Sequence, residues 1–219
     1  PILRIGILIV DEETSWTTDI TCDSDYDIRD GNGALLAEMK AGQEVSAFYK
    51  KMKYWYNRGK GLESTSYYLR FIPRKDDAIC TVTNFDRRKT RNAAHADNQF
   101  RNTLELRYSE AKDRTWLINE LPVENYLKGL AETSNISHHE FKKSLVTVAR
   151  TYALYHYERA TKHASEYFHM NAYADDQVYK GYGHELRHPN IGRAAVDTEG
   201  VVVTYEGRTA ITPYFSRSD

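Results

Sequence analysis

A glutamate in a small polar turn, followed by a helix that carries two cations, is the arrangement here most able to do chemistry. Glu132 lies in residues 131–136, AETSNI, a composition that reads as a turn. Downstream, Lys143 and Arg150 stand seven residues apart and, at ~100° per residue, share one helical face. Phe141, Leu145, Val148 and Tyr152 recur at helical spacing and are expected in the core. Val146, Ala149, Ala153 and Leu154 extend the apolar character beyond that stripe, which marks a buried helix. A buried arginine needs a carboxylate or a ligand, and Glu132 is the nearest acid in a suitable turn. The ordinary outcome is structural, with Arg150 paired to a carboxylate and Lys143 solvated. The alternative is a carboxyl that gives and takes a proton.

The elements that must position these residues can be read from residues 116–154. Residues 116–119 read as a strand end, and Pro122 suits the first turn of a helix over 123–128. Gly129 can close that helix, and Ser137 with Glu140 forms the capping box of the long one. Glu120, Glu124 and Glu185 are competing acids. The first two flank the short helix and are expected to cap it or face solvent. His163, His169 and Asp175 could form a weak metal site, but the expectation is no metal and no cofactor.

With 219 residues the chain can form one large domain or two small ones sharing a cleft. A net charge of -1 argues against a dedicated nucleic-acid binder. Residues 48–61 interleave Lys50, Lys51, Lys53, Arg58 and Lys60 with Tyr49, Tyr54, Trp55 and Tyr56. That could hold a nucleic acid or an anionic glycan, but charge runs most often decorate a strand and its turn. The basic cluster Arg87, Arg88, Lys89 and Arg91 has the same ordinary explanation. The 17 tyrosines suit sugar-binding clefts and, more commonly, sheet surfaces. Cys22 and Cys80 could bond if the protein is exported, but spacing cannot place them together, and free buried cysteines are common. No signal peptide or membrane-spanning run is visible, and the start at Pro1 suggests that a targeting segment has been removed.

Residues 2–10, ILRIGILIV, read as a buried strand, and 16–29 as one or two exposed strands. Asp30-Gly31-Asn32-Gly33 is a turn signal, and 44–49, 67–72 and 78–84 read as further strands. Residues 100–108 alternate and pair with 114–119. Residues 173–183, YADDQVYKGYG, read as a loop lining something, 191–198 as one or two helical turns, and 201–205 with 209–215 as a hairpin. The fold class expected is α+β: a β-rich N-terminal part and a mixed core around one long buried helix and a substrate cleft.

The ordered series LINELPVENYLKGLAE, KKSLVTVARTYAL, DQVYKGYG, AAVDTEGVVVTYEG and TPYFSRSD resembles the stage II sporulation protein D family, of SpoIID/LytB type. The family pattern is roughly V-I-N-x-L-P-x-E-x-Y-L, then A-E, then L-K-A-Q-A-V-A-A-R-T-Y-A, then Q-x-Y-x-G, then Y-F-S. It covers residues 100–219 well and the earlier part loosely. It implies a β-rich part over 1–99 and a catalytic core over 100–219, cut short inside the last motif. It also implies a lytic transglycosylase acting on peptidoglycan, with Glu132 as catalytic acid/base. Lys143, Arg150, Ser134, Asn135, Gln177, Tyr179, Tyr214, Ser216 and Ser218 are the implied substrate-binding residues. Asp176 stands where many members carry a Cys, which puts a zinc site in doubt. The implied partners are glycan strands and, for the related modifier proteins, a cell-wall amidase; no nucleic acid is implied, and a membrane only through a segment outside this chain. The implied location is the cell envelope or the exterior. A non-catalytic glycan-binding modifier or envelope scaffold is the alternative.

Overall fold

Residues 1–85 and 96–214 are described here from a computed structural model. The basic cluster at Arg87, Arg88, Lys89 and Arg91, and Ser216 and Ser218, lie outside the described residues. The opening apolar run forms β1 (Ile2–Ile9), buried along nearly its whole length and followed by the short α1 (Val10–Glu13). Strands β2 (Thr18–Cys22), β3 (Tyr26–Asp30), β4 (Leu35–Met39), β5 (Glu44–Lys50), β6 (Lys53–Asn57), β7 (Leu62–Thr65), β8 (Leu69–Pro73) and β9 (Ile79–Val82) follow. Then come β10 (Gln99–Arg101), β11 (Thr103–Ser109) and β12 (Arg114–Pro122). Helices α2 (Val123–Lys128) and α3 (His139–Arg159), β13 (Met170–Asn171), and helices α4 (Tyr182–Arg187) and α5 (Pro189–Asp197) complete the body, and a small hairpin, β14 (Thr204–Tyr205) and β15 (Arg208–Thr209), comes after α5.

The class is α+β, as the patterning implies. A seven-stranded sheet runs β13-β1-β12-β11-β8-β3-β4, and a six-stranded one β10-β9-β2-β5-β6-β7. Apolar residues of both, among them Ile20 and Val45 of one and Phe71, Leu104 and Leu106 of the other, join one core cluster with Val146 and Ala149 of α3. β1 is antiparallel to β12, from Ile2 opposite Pro122 to Ile9 opposite Trp116, and parallel to β13. The larger sheet therefore takes strands from both sides of residue 99.

Several local expectations need correction. The strands over 16–29 are β2, with alternate positions buried, and β3, buried at all but Arg29, rather than exposed strands. Residues 100–108 do not form one strand. Asn102, at φ 65, breaks the run into β10 and β11, which enter different sheets. Asparagine tolerates that left-handed conformation because its short polar side chain bonds locally. The aromatic and basic stretch is the β5–β6 hairpin, with Tyr54 and Tyr56 buried and Phe48 stacked on Trp55. Its ordinary explanation as a decorated strand pair suffices. Cys22 and Cys80 are bonded, not free: β2 and β9 pair with these residues directly opposite.

Candidate functional site

Pro122 begins α2 and Gly129 caps its C-terminal end, both as the composition predicts, and Gly129 has a second task besides closing the helix. Its φ is -93, so no left-handed turn is required. A Cβ there would meet the Tyr179 ring at 2.5 Å. Glycine lets two backbones approach. Lys180 N donates to Gly129 O at 3.0 Å, Leu130 bridges Tyr179, and Ala131 N donates to Val178 O at 2.8 Å. The next rung is made by a side chain, since Val178 N donates to Glu132 Oε1. Glu132 is half-buried, and its Oε2 has no hydrogen bond among the described residues.

Around this carboxylate the chain gathers remote segments. Tyr126 donates to Gln177 Oε1 at 2.8 Å, and Gln177 Nε2 donates to Ala149 O at 3.3 Å. Tyr214 is half-buried, and Thr212, two residues before it, donates to Val148 O of α3 at 2.9 Å. Burial raises the Tyr214 phenol, and the nearby charge of Glu132 raises it further. Tyr214 therefore stays a protonated hydroxyl beside Glu132. Burial likewise raises Tyr126, with contributions from Tyr214, Asp176 and Glu132. Glu132, Gln177, Tyr214 and Tyr126 thus share one neighbourhood.

Three expected substrate contacts are buried and bonded within the protein. Arg150 is 0 % exposed, and its partner is Glu124, not Glu132. Its Nε and Nη2 each donate to Glu124 at 2.8 Å, and it also reaches Thr198 Oγ1, Val201 O and Ala195 O. The guanidinium thus ties α2 to α5 and the segment after it. Gln177, 1 % exposed, spends its amide on Tyr126 and Ala149. Tyr179, also 1 % exposed, donates to Asn119 Oδ1 at 3.0 Å, while Asn119 donates to Arg101 O and Thr103 O. Their internal bonds hold the turn and the segment that pairs with it.

Among the other expected contacts, Ser134 is exposed and accepts from Ile136 N. Asn135 accepts from Asn190 N at 3.0 Å and so docks the turn on α5. Lys143 lies on the surface and pairs with Glu140 at 3.0 Å. The capping box is also displaced. His138 is the N-cap of α3 and accepts from Glu140 N, while the Ser137 hydroxyl accepts from Thr133 Oγ1 at 3.0 Å. The expected core stripe is rotated: Phe141 is 54 % exposed, while Lys142, Val146, Ala149, Arg150 and Ala153 are buried. An apolar surface that runs most of the way round a helix does not say which side faces in.

Glu185, one of the competing acids, is held by Arg101 Nε and Nη2 at 2.9 Å each. Glu120 is held by Arg70. His163, Asp175 and Asp176 cluster at metal-ligand spacing, with Asp176 rather than His169 as the third member. The geometry is that of an ion network. His163 bonds Glu166 at 2.9 Å and Asp176 at 2.8 Å, and the Lys162 ammonium sits on the other Asp176 oxygen. Burial opposes charge on Asp176, but bonds from His163, Lys162 and the Asn171 amide outweigh it and hold the carboxyl at about 2. Burial also opposes protonation of His163, yet the two carboxylates raise it overall. Protein cations thus already occupy the place a metal ion would take. Asp176 and Lys162 as partners, and Glu124 as the acceptor of Arg150, were not found from the sequence. The only available signal was the cation–carboxylate pairing that every buried charge needs.

No curated protein matches the chain. A family model described as SpoIID, stage II sporulation protein, matches residues 111–205, the stretch that contains β12, α2, the Glu132 turn, α3 and the segment pairing with that turn. Residues 111–205 are thus similar to the SpoIID family, and that similarity supports a role connected with the cell wall.

Proposed function

We propose that the protein is a lytic transglycosylase that cleaves the MurNAc–GlcNAc β-1,4 bond of peptide-free peptidoglycan strands. The observation that carries this reading is the setting of Glu132: one oxygen pinned by the Val178 amide, the other free, with the Tyr214 phenol beside it. Glycoside cleavage needs an acid for the leaving oxygen and stabilisation of an oxocarbenium-like transition state. Protonated Glu132 donates to the glycosidic oxygen as the C1–O bond breaks. The C6 hydroxyl of the same muramic residue then adds to C1, and the Glu132 carboxylate takes the hydroxyl proton. The ring closes as 1,6-anhydro-MurNAc and Glu132 is again protonated, so a single carboxyl suffices. In this proposal exposed Ser134 and half-buried Tyr214 contact the sugar, together with Ser216 and Ser218 of the last motif.

Extracytoplasmic residence is part of the proposal, supported by the Cys22–Cys80 disulfide, which persists in oxidising compartments. Glycan strands are the proposed partner. A second reading, a non-catalytic glycan-binding modifier of a cell-wall amidase, is favoured by one feature: the bond from Val178 N gives Glu132 a structural task, joining its turn to the segment around residue 178. Mass spectrometry of peptide-free strands incubated with the protein separates the two. Anhydro ends, lighter by one water than hydrolysis products, support the transglycosylase. Ordinary reducing ends mean a hydrolase, and no cleavage together with amidase stimulation means the modifier.

A further inference from the structure

A cavity of about 810 Å³ opens between α2, the start of α3, α4 and α5, within the size range of small-molecule sites. Its lining includes Lys128, Lys142 and Arg193 with Glu185 and Asp197. The two acids are already committed, Glu185 to Arg101 and Asp197 to His139 at 2.7 Å. The three cations are not. Lys128 meets only the neutral Asn125 Oδ1 at 3.2 Å, and exposed Arg193 has no ionic partner among the described residues.

Lys142 is the decisive member. It is 2 % exposed, and its ammonium has one partner, the Ser137 carbonyl. An ammonium carries three donors, and a buried charge is costly unless it is paired. Both Ser137 and Lys142 line the cavity, so the unspent donors lie at its wall.

We propose that this cavity binds a ligand bearing an oxyanion, carboxylate or phosphoryl, with Lys142 as the buried anchor and Lys128 and Arg193 as further contacts. Asn190, on the cavity wall, bonds Asn135 in the Glu132 turn, so a bound anion lies against the segment that carries Glu132. The proposal goes beyond glycan cleavage and does not depend on it.

Isothermal titration of the intact chain with inorganic phosphate, with N-acetylmuramic acid and with neutral N-acetylglucosamine tests it. Binding of phosphate alone identifies a phosphoryl ligand, binding of the muramic acid alone a carboxylate, and binding of both a general oxyanion site; each supports the proposal. Lys142→Leu should keep the fold and weaken anion binding by about tenfold or more. Glu132→Gln should leave that binding unchanged, whatever it does to cleavage. If Lys142→Leu does not fold, Arg193→Ala combined with Lys128→Gln carries the test through a several-fold loss. The proposal is overturned if neither anion binds at millimolar concentration, if the neutral sugar binds equally well, if the cation variants bind as the parent does, or if Glu132→Gln abolishes anion binding.

Discussion

Glu124 and Glu132 lie eight positions apart on either side of Gly129, and their fates differ completely. Both oxygens of Glu124 are spent on the fully buried Arg150. Glu132 gives one oxygen to a backbone amide and keeps the other free among the described residues. A carboxylate saturated by a guanidinium cannot exchange protons with a substrate; a half-engaged one beside a phenol can. Saturation of a buried charge is thus a mark of architecture, and incomplete saturation a mark of a candidate site.

Glu132→Gln should break the comparison most sharply. Glutamine keeps the shape and an oxygen for Val178 N–H but cannot act as acid and base. Anhydro product, followed by mass spectrometry, should fall by about 10²–10⁴-fold, while the thermal midpoint stays close to that of the parent. Unchanged turnover would reassign the chemistry.

Arg150→Ala should do the reverse. It leaves Glu124 without its counter-charge in the packing between α2 and α5, at a cost of about 3–5 kcal/mol. Denaturant unfolding measures the loss. If stability holds and only glycan binding falls, Arg150 is a ligand residue after all.

Asp176→Asn probes the ion network that sits where a metal could. The Asp176 carboxyl is depressed from 3.8 to about 2, so its contribution is present above pH 3.8 and is lost as pH falls through about 2. The variant should lose about 2 kcal/mol at neutral pH and show a flatter acid limb between those values. His163 has the opposite sign: its value is raised above 6.5, so its stabilisation is present below 6.5 and lost as pH rises through the folded value. A chelator should leave stability unchanged; a drop would reinstate a metal ion.

Tyr214→Phe should have the smallest effect. It removes a hydroxyl but keeps the ring, and stability should change by under about 1 kcal/mol. Turnover should fall a few-fold if the phenol meets the sugar, and not at all if it only packs.

The kinds of element were legible locally. The apolar run became β1, Pro122 opened α2, and the apolar-rich stretch after residue 138 became α3, because period and turn chemistry act over a few residues. The turn around Glu132 was legible for the same reason, and so was the ordered motif series. Which face of α3 is buried was not, because apolar residues occur around most of it and only the packed neighbours choose. That choice buried Lys142 and Arg150 and exposed Phe141. The partner of Arg150, the Cys22–Cys80 bond, the split at Asn102 and the network around Asp176 all depend on residues brought together across the fold. The sequence by itself determined the types of β1, α2 and α3 and the turn between the two helices. Only the tertiary structure decided which glutamate was spent, since charge pairing depends on distance in space and a sequence records only distance along the chain.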